Sequence, residues 1–295
     1  MSIQGYYLLP HPPIILPEVG RGEEKKISQT TKGMQRIAEE IAQKAPRTII
    51  IVTPHGAMFR DAISLSYEDA ISGNMGRFRA PSVRMEKTIN KELTKRIYEL
   101  ASESGIPAVL ATDSMLSRYG AEFMLDHGAM VPLYFIDRCY TDYKLVHITY
   151  TPINDYDLYR FGIAVSNAAR ELGEETVFIA SGDLSHRLSH DGPYEYSPEG
   201  ARFDNDFLRL LQDGDVMAFF KMDRALIESA GECARRSVAI LLGALDGYKF
   251  GGTLLSYEGT FGVGYGVVRL NVLSRGESAA DAVRTVRIQK HSRNA

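Results

Sequence analysis

Three histidines of this chain come directly after apolar segments that are typical of buried strands. His11 lies in "LLPHPP", His55 in "VTPHG" and His186 in "ASGDLSH". Ligands of open α/β sheets bind outside the carboxyl ends of the strands, so imidazoles at three strand ends can share one crevice. Neutral imidazole is the commonest metal ligand in proteins. The pattern predicts a metal site at this edge of the sheet. The plainer alternative is that each histidine is a solvated loop residue.

The remaining histidines have weaker signals. His127 comes shortly before the apolar segment "MVPLYF", which we predict to be a strand. His127 itself lies in a loop that is expected to cover the crevice. His147 lies inside the apolar segment "KLVHITY" and is expected to be a hydrogen-bonded core histidine. His190 lies four residues after His186, in a second Ser-His pair, and is expected to belong to the loop or to support the site residues from outside.

A metal site of this kind needs a further ligand. Two histidines and one carboxylate, with open positions, are typical of non-haem Fe(II) oxygenases, and zinc hydrolases use the same set. Glu232, in "AGECARRSVAILLGALDG", stands between a glycine and a strongly apolar helix. Glu232 is therefore a candidate ligand. The alternative is an ordinary first-turn acid that the helix dipole favours, and the residues alone leave both open.

The elements that must position these residues alternate along most of the chain. Strands are predicted over 5–9, 48–53, 62–67, 108–112, 130–135, 144–150, 176–180, 252–259 and 262–273. Helices are predicted over 23–45, 87–103, 155–172, 198–212, 223–229 and 233–246, with a Gly/Arg-rich loop over 72–81. This alternation favours an α/β fold, a single domain with a central, largely parallel or mixed β-sheet flanked by helices. We expect this domain over 1–274 and a polar C-terminal tail over 275–295.

Composition excludes several classes of function. The formal net charge of −3 over 295 residues offers no basic excess for binding nucleic acid. Two cysteines, Cys139 and Cys233, are too few for a disulfide framework and indicate a reducing compartment. No apolar run approaches the roughly 20 residues of a membrane helix, and the start of the chain lacks the basic region of a signal peptide. We expect a cytoplasmic protein without a membrane partner.

Six ordered segments carry a resemblance to a known family. They are "LLPHPPIILPEVG", "IIIVTPHG", "LDHGAMVPLYF", "ASGDLSH", "GECARRSVAILLGALDG" and "SYEGTFGVGYG". Together they resemble the class III extradiol ring-cleavage dioxygenases, whose type member is the catalytic β subunit of protocatechuate 4,5-dioxygenase. Within that superfamily the chain is most similar to the Memo-like group, in particular the dioxygenase-like domain of the AmmeMemoRadiSam system.

The resemblance implies roles for five residues. His11 and His55 match the histidine ligands, and Glu232 matches the carboxylate ligand of the ring-cleaving members. His186 matches the acid–base histidine, and His127 matches a histidine that helps bind substrate or oxygen. The implied metal is Fe(II), with Zn and Cu as alternatives.

The third ligand has a second candidate. Memo-like members can present a cysteine near this position, and Cys233 directly follows Glu232. A thiolate would favour softer metals such as Cu(I) or Zn. Because adjacent residues at a helix start point in different directions, we expect only one of them to face the metal, and we predict Glu232. Asp183 is a candidate for orienting the His186 ring, or a loop cap.

The implied function is Fe(II)-dependent extradiol cleavage of a small catechol-type aromatic by O2. The alternative is a Memo-like metal-binding or interaction protein without catechol dioxygenase activity, acting with AMMECR-type and radical-SAM proteins. A zinc-dependent hydrolase is a third reading, and the resemblance also implies a homodimer. Arg77, Arg79 and Arg84, in or beside the Gly/Arg-rich loop, are candidates for binding a substrate carboxylate, against the alternative of solvated surface arginines.

Overall fold

The structure, a computed structural model, describes the backbone of residues 2–292 and the side chains of residues 2–286. The strands are β1 (Ile3–Leu9), β2 (Thr48–Thr53), β3 (Ile63–Ser66), β4 (Ala70–Met75), β5 (Ala80–Thr88), β6 (Ala108–Ala111), β7 (Lys144–Thr149), β8 (Thr176–Ser181), β9 (Tyr248–Glu258) and β10 (Tyr265–Arg275). The helices are α1 (Pro17–Gly20), α2 (Ser28–Lys44), α3 (Lys91–Glu103), α4 (Asp113–Arg118), α5 (His127–Asp137), α6 (Asp155–Glu171), α7 (Glu199–Asp213), α8 (Val216–Lys221), α9 (Arg224–Ala230), α10 (Arg235–Ala244) and α11 (Ala280–Ser292). Short 3-10 helices cover Pro13–Ile15, Glu23–Ile27 and Gly76–Phe78.

Eight strands form one mixed sheet in the order β6-β3-β7-β2-β8-β1-β10-β9. The four central strands β7, β2, β8 and β1 run parallel, while β10 is antiparallel to β1 and to β9. The predicted α/β fold with a largely parallel, mixed sheet is confirmed. Because β2, β8 and β1 are neighbours, His55, His186 and His11 follow three adjacent strand ends.

Both faces of the sheet are covered. In β2, Ile50 and Val52 pack into one hydrophobic cluster with helices α3, α6, α7 and α10, whereas Ile49 and Ile51 pack into another with α2 and α5. Burial on both faces explains why "TIIIVT" is a continuous β-branched run instead of an alternating one. The helices hold the central strands between two apolar layers, so the strand ends are rigid supports for a site.

One predicted strand is wrong. "MVPLYF" lies in helix α5, not in a strand. A short apolar run that is buried on all sides has no periodicity to separate helix from strand. The side chain of Asp126 accepts a hydrogen bond from the backbone N–H of Ala129 and caps the helix. His127 is therefore the first residue of a helix.

Three further segments differ from prediction. The Gly/Arg-rich segment predicted as a loop contributes to the antiparallel hairpin β4–β5, joined by the Gly76–Phe78 turn. Because β5 continues to Thr88, the helix predicted from 87 begins at Lys91. The C-terminal segment predicted as a tail includes α11, whose Val283 is buried in the core, and residues 293–295 lie outside the described part. No helix among the described residues combines the length and apolarity needed to cross a membrane.

Candidate metal centre

His11 is held by hydrogen bonds that fix its ring. Its backbone N–H donates to Asp183 Oδ1 at 2.8 Å, and its Nδ1 lies 2.8 Å from Ser181 Oγ. The Ser181 hydroxyl donates its one proton to the carbonyl of Gly128. The serine oxygen must therefore accept from His11, so Nδ1 carries the proton. The Nε2 of His11 is left unprotonated, which is the form that ligates a metal.

The second and third members of the group are His55 and Cys233. The Nε2 atoms of His11 and His55 lie 3.1 Å apart, and the Sγ of Cys233 lies 3.6 Å from the Nε2 of His11. All three ligand atoms lie within 4.8 Å of one another. With bonds of about 2.0–2.3 Å, donors that share a tetrahedral metal lie roughly 3.3–3.6 Å apart. The two distances from His11 Nε2 lie close to this range, which makes the two histidines and the cysteine a candidate ligand set.

The Cys233 thiol is buried behind the two imidazoles. Its Sγ accepts a hydrogen bond from the backbone N–H of Asp183 at 3.2 Å, and its own N–H donates to the Asp183 carbonyl at 3.2 Å. Burial raises the pKa of this thiol well above its usual value. A cation that binds here must displace the thiol proton.

Glu232 does not join this group. Its Oε2 accepts a 2.6 Å hydrogen bond from the backbone N–H of Arg235, the first residue of α10. The turn before it ends at Gly231, with φ of 63°, and the cap ties the carboxylate to the helix terminus. The structure brings Cys233, and not Glu232, together with His11 and His55. Glu232 lies three residues before α10 and binds the first backbone N–H of the helix, so it is an acid at the helix terminus and not a member of the donor group.

Asp183 links two of the three members. Its carboxylate accepts the N–H of His11, and its carbonyl accepts the N–H groups of Cys233 and Ala234 at 3.2 and 3.1 Å. These bonds connect Asp183 to His11 and Cys233 and not to the His186 ring that it was a candidate to orient. Burial raises the pKa of Asp183 to about 7.

His127 lies beside the group. Its ring stacks on the His55 ring with centroids 4.1 Å apart and meets the His11 ring edge-on at 5.5 Å. Burial, the neighbouring His55 and, more weakly, the Arg77 guanidinium lower the pKa of His127 to about 4. The ring is therefore neutral near pH 7, with one nitrogen able to donate and the other able to accept.

His186 reaches the same crevice from the loop after β8. Its backbone N–H donates to the Ala230 carbonyl at 3.1 Å, and its ring stacks on Tyr194 at 5.0 Å. Burial and the nearby His55 lower the pKa of His186 to about 4. His190 is exposed and packs on Tyr196.

A cleft of about 490 Å³ opens onto His55 and His127. Its other walls include Met58, Asn74, Arg77, Phe78, Glu122 and Met124. The guanidinium of Arg77 lies 3.4 Å from the carboxylate of Glu122, and both side chains are mostly exposed, at 79% and 73%. Of the three candidate arginines, Arg77 is the one that lines this cleft. Arg84 lines two other depressions, one of which shares Asn74, Ala121, Glu122 and Met124 with this cleft. The Arg79 carbonyl accepts a hydrogen bond from Arg21.

Comparison with known proteins identifies the family of this chain. Residues 5–268 match the family described as the catalytic LigB subunit of aromatic ring-opening dioxygenase. The chain belongs to this family. It is 59% identical over 287 residues to Protein CA_C1420 of Clostridium acetobutylicum, covering 97% of this chain and 61% of that protein. The chain therefore spans less than two thirds of this relative.

The fold also matches a solved structure. The crystal structure of the uncharacterized protein JW3007 from Escherichia coli K12 aligns with a TM-score of 0.60 and 15% sequence identity. The alignment covers 90% of this chain and 99% of that chain. At this identity the match supports the LigB-type fold alone.

Sequence reasoning missed one buried carboxylate of this LigB-family site. Asp126 accepts hydrogen bonds from the Thr53 hydroxyl at 2.6 Å and from His147 Nε2 at 2.8 Å. His147 is hydrogen-bonded at both ring nitrogens, since its Nδ1 lies 2.8 Å from the Ser66 hydroxyl. The available signal was the repeated dipeptide His-Gly, at His55 and again at His127 directly after Asp126.

Proposed function

We propose that this chain is a metal-dependent oxidoreductase of the ring-opening dioxygenase type, acting on a catechol-type aromatic with O2. We assign the metal to His11, His55 and Cys233. The observation that carries the proposal is the convergence of these three donors beside a cleft lined by His127. Fe(II) remains the proposed metal. The soft thiolate also suits Zn or Cu(I).

When bound, the metal supplies the oxygen chemistry that amino-acid side chains lack. The chain itself supplies binding and proton transfer. His186 is neutral near pH 7 because its pKa is lowered, so its free ring nitrogen can accept a proton from a catechol hydroxyl and return it later. His127 stacks on His55 and lies in the cleft wall, where one ring nitrogen can donate a hydrogen bond to a substrate or oxygen atom.

The cleft indicates the kind of substrate. Phe78 meets the His127 ring at 5.0 Å and, with Met58 and Met124, provides apolar surface for an aromatic ring. The guanidinium of Arg77 is the cationic group in this wall of the cleft. Its pairing with Glu122 is exposed, so the pair is worth only about 0–1 kcal/mol and can exchange for an anionic group of a substrate. We assign Arg77 to binding such a substituent.

An interaction protein without catechol activity is the second candidate function. Large apolar side chains are exposed near the cleft mouth, with Met58 at 47% and Tyr119 at 69%. This chain covers 61% of its Clostridium acetobutylicum relative, and action within a larger assembly is part of this second proposal. The partners in this reading are AMMECR-type and radical-SAM proteins, or a second copy of the chain. Both cysteines are free, which agrees with a cytoplasmic location.

Oxygen uptake separates the two candidates. The protein is loaded anaerobically with Fe(II), freed of excess metal and mixed with a panel of catechols in an oxygen electrode. The proposal expects uptake with at least one catechol and its loss in His186→Gln, which should keep its iron. General acid–base groups typically contribute about 10²–10⁴-fold to rate. If the protein binds iron but consumes no O2 with any of the catechols, the result would favour the interaction protein.

A further inference from the structure

Asp126 connects three elements around the candidate metal centre. It is the N-cap of α5, which begins at His127, and its two carboxylate oxygens bond to Thr53 at the end of β2 and to His147 in β7. The Thr53 hydroxyl donates to Asp126, so its oxygen is free to accept the backbone N–H of His55 at 3.2 Å. One directed chain of hydrogen bonds thus runs from His55 through Thr53 to Asp126.

Two glycines allow this close packing. A Cβ on Gly56 would lie 3.3 Å from Asp126 Oδ2 and 2.2 Å from the Thr149 hydroxyl. A Cβ on Gly128 would lie 2.9 Å from Asp126 Oδ1 and 2.4 Å from the Thr53 hydroxyl. His55 and His127 are each followed by one of these glycines in the sequence. The absence of a side chain at both glycines leaves room for the Asp126 carboxylate.

Asp126 is an anion in this buried position. Burial alone would raise its pKa, but hydrogen bonds from His147 and Thr53 hold the pKa well below its usual value. Its negative charge opposes the lowering of the pKa at His11, His55 and His127. The charge therefore acts on all three imidazoles, and a cation held between His11 and His55 would be attracted by it.

We propose that Asp126 is a positioning residue of the metal centre, which holds His55 and His127 in place and acts as an outer counter-charge for a divalent cation. Outer carboxylates that orient histidine ligands contribute about 10–100-fold to metal affinity in known sites. The inference rests on the proposed metal site and not on catechol chemistry. A wild-type protein that binds metal but never consumes O2 would contradict the function and leave the role of Asp126 standing.

The test uses Co(II) as the probe, titrated against a chelator of known affinity. Asp126→Asn keeps the size of the side chain and an acceptor for Thr53 but removes the charge, and we expect Co(II) binding to weaken about 10–100-fold. Thr53→Val should weaken binding as well, while Thr53→Ser, which keeps the hydroxyl, should restore it. Asp204→Asn is the control for the loss of a buried carboxylate elsewhere in the fold. Asp204 is also fully buried and bonds to Ser185 and Tyr257 instead of the Thr53 chain.

A second readout needs no metal. In metal-free protein with labelled histidines, the ring nitrogen resonances of His55 and His127 should shift in Asp126→Asn and stay in place in Asp204→Asn. Wild-type Co(II) affinity together with unshifted resonances in Asp126→Asn would overturn the proposal. If Asp126→Asn fails to fold, equal Co(II) affinity in Thr53→Val and Thr53→Ser would overturn it instead.

Discussion

Pro132 stands four residues after Gly128 in helix α5 and has no N–H to donate to the Gly128 carbonyl. That carbonyl instead accepts the Ser181 hydroxyl, whose oxygen in turn accepts the Nδ1 proton of His11. A proline inside a buried helix thereby helps to set which nitrogen of a metal-ligand candidate is unprotonated.

Pro132→Ala should weaken metal binding without destabilising the fold. The new N–H competes with Ser181 for the Gly128 carbonyl, so the serine proton is free to turn toward His11. We expect roughly tenfold weaker Co(II) binding and an unfolding temperature at or above that of wild type, because alanine suits a helix interior better than proline does. Ser181→Ala, which leaves the Nδ1 proton without its acceptor, should weaken binding further. Unchanged affinity in both variants would contradict this role for the serine.

Substitution of the ligands distinguishes Cys233 from Glu232. We expect wild-type protein to bind about one Fe(II), and His11→Ala and Cys233→Ser to bind far less, because each removes one of the converging donors. Glu232→Gln should keep the metal, since its carboxylate caps α10. Anaerobic Fe(II) titration with metal analysis measures all three. Iron loss in Glu232→Gln, with full binding in Cys233→Ser, would reinstate the glutamate as the third ligand.

Arg77 should discriminate between substrates by charge. Arg77→Gln is expected to raise the KM of a carboxylate-bearing catechol about tenfold, in line with the net worth of one charge-assisted hydrogen bond, and to leave the KM of its methyl ester nearly unchanged. Arg84→Gln is the control, because Arg84 belongs to the same hairpin and lines a neighbouring depression but does not line the cleft at His55 and His127. An equal KM change for the acid and the ester would contradict recognition by charge.

The lowered pKa of the half-buried His186 should make the stability of metal-free protein depend on pH. The pKa of His186 is about 4 in the folded state, against about 6.5 in an unfolded chain. Between these two values the unfolded chain binds a proton that the folded chain does not, so stability is lost as the pH falls. His186→Gln should therefore gain stability relative to wild type when the pH is lowered from about 7.5 to 4.5, as followed by thermal unfolding in chelator.

Asp204 gives the opposite sign over the same range. Its folded pKa is raised to about 7 by burial, against about 3.9 when unfolded, so the folded state binds the extra proton. Stability from this group is gained as the pH falls. Asp204→Asn should lose stability relative to wild type over the interval in which His186→Gln gains it. Parallel pH profiles for the two variants would contradict these assignments.

Much of the site's position could be predicted from the sequence. The β-branched run of β2 indicated a strand buried on both faces, and the placement of His11, His55 and His186 after apolar runs indicated one sheet edge. The structure places all three there because β1, β8 and β2 are adjacent and parallel. This part was predictable since strand ends depend on local pattern and one general rule of parallel sheets.

The remainder depended on contacts that no local pattern contains. Helix α5 was predicted as a strand because its apolar residues are buried on every side, and its start depends on the Asp126 cap. Whether Glu232 or Cys233 faces the histidines depends on how the turn at Gly231 meets the loop of Asp183. That contact joins segments about 50 residues apart, as in the hydrogen bond from Asp183 to Cys233.

The pairing of β1 has a consequence for biosynthesis. His11 follows a strand whose hydrogen-bonded neighbours are β8 and β10, and Tyr6 pairs with Leu270. When His11 and His55 have been synthesised, the two strands that pair with β1 have not. Strand β1 can join the sheet only after β8 and β10 have emerged. We expect metal capture to follow completion of the sheet, so that a loaded metal would mark a chain that has finished folding.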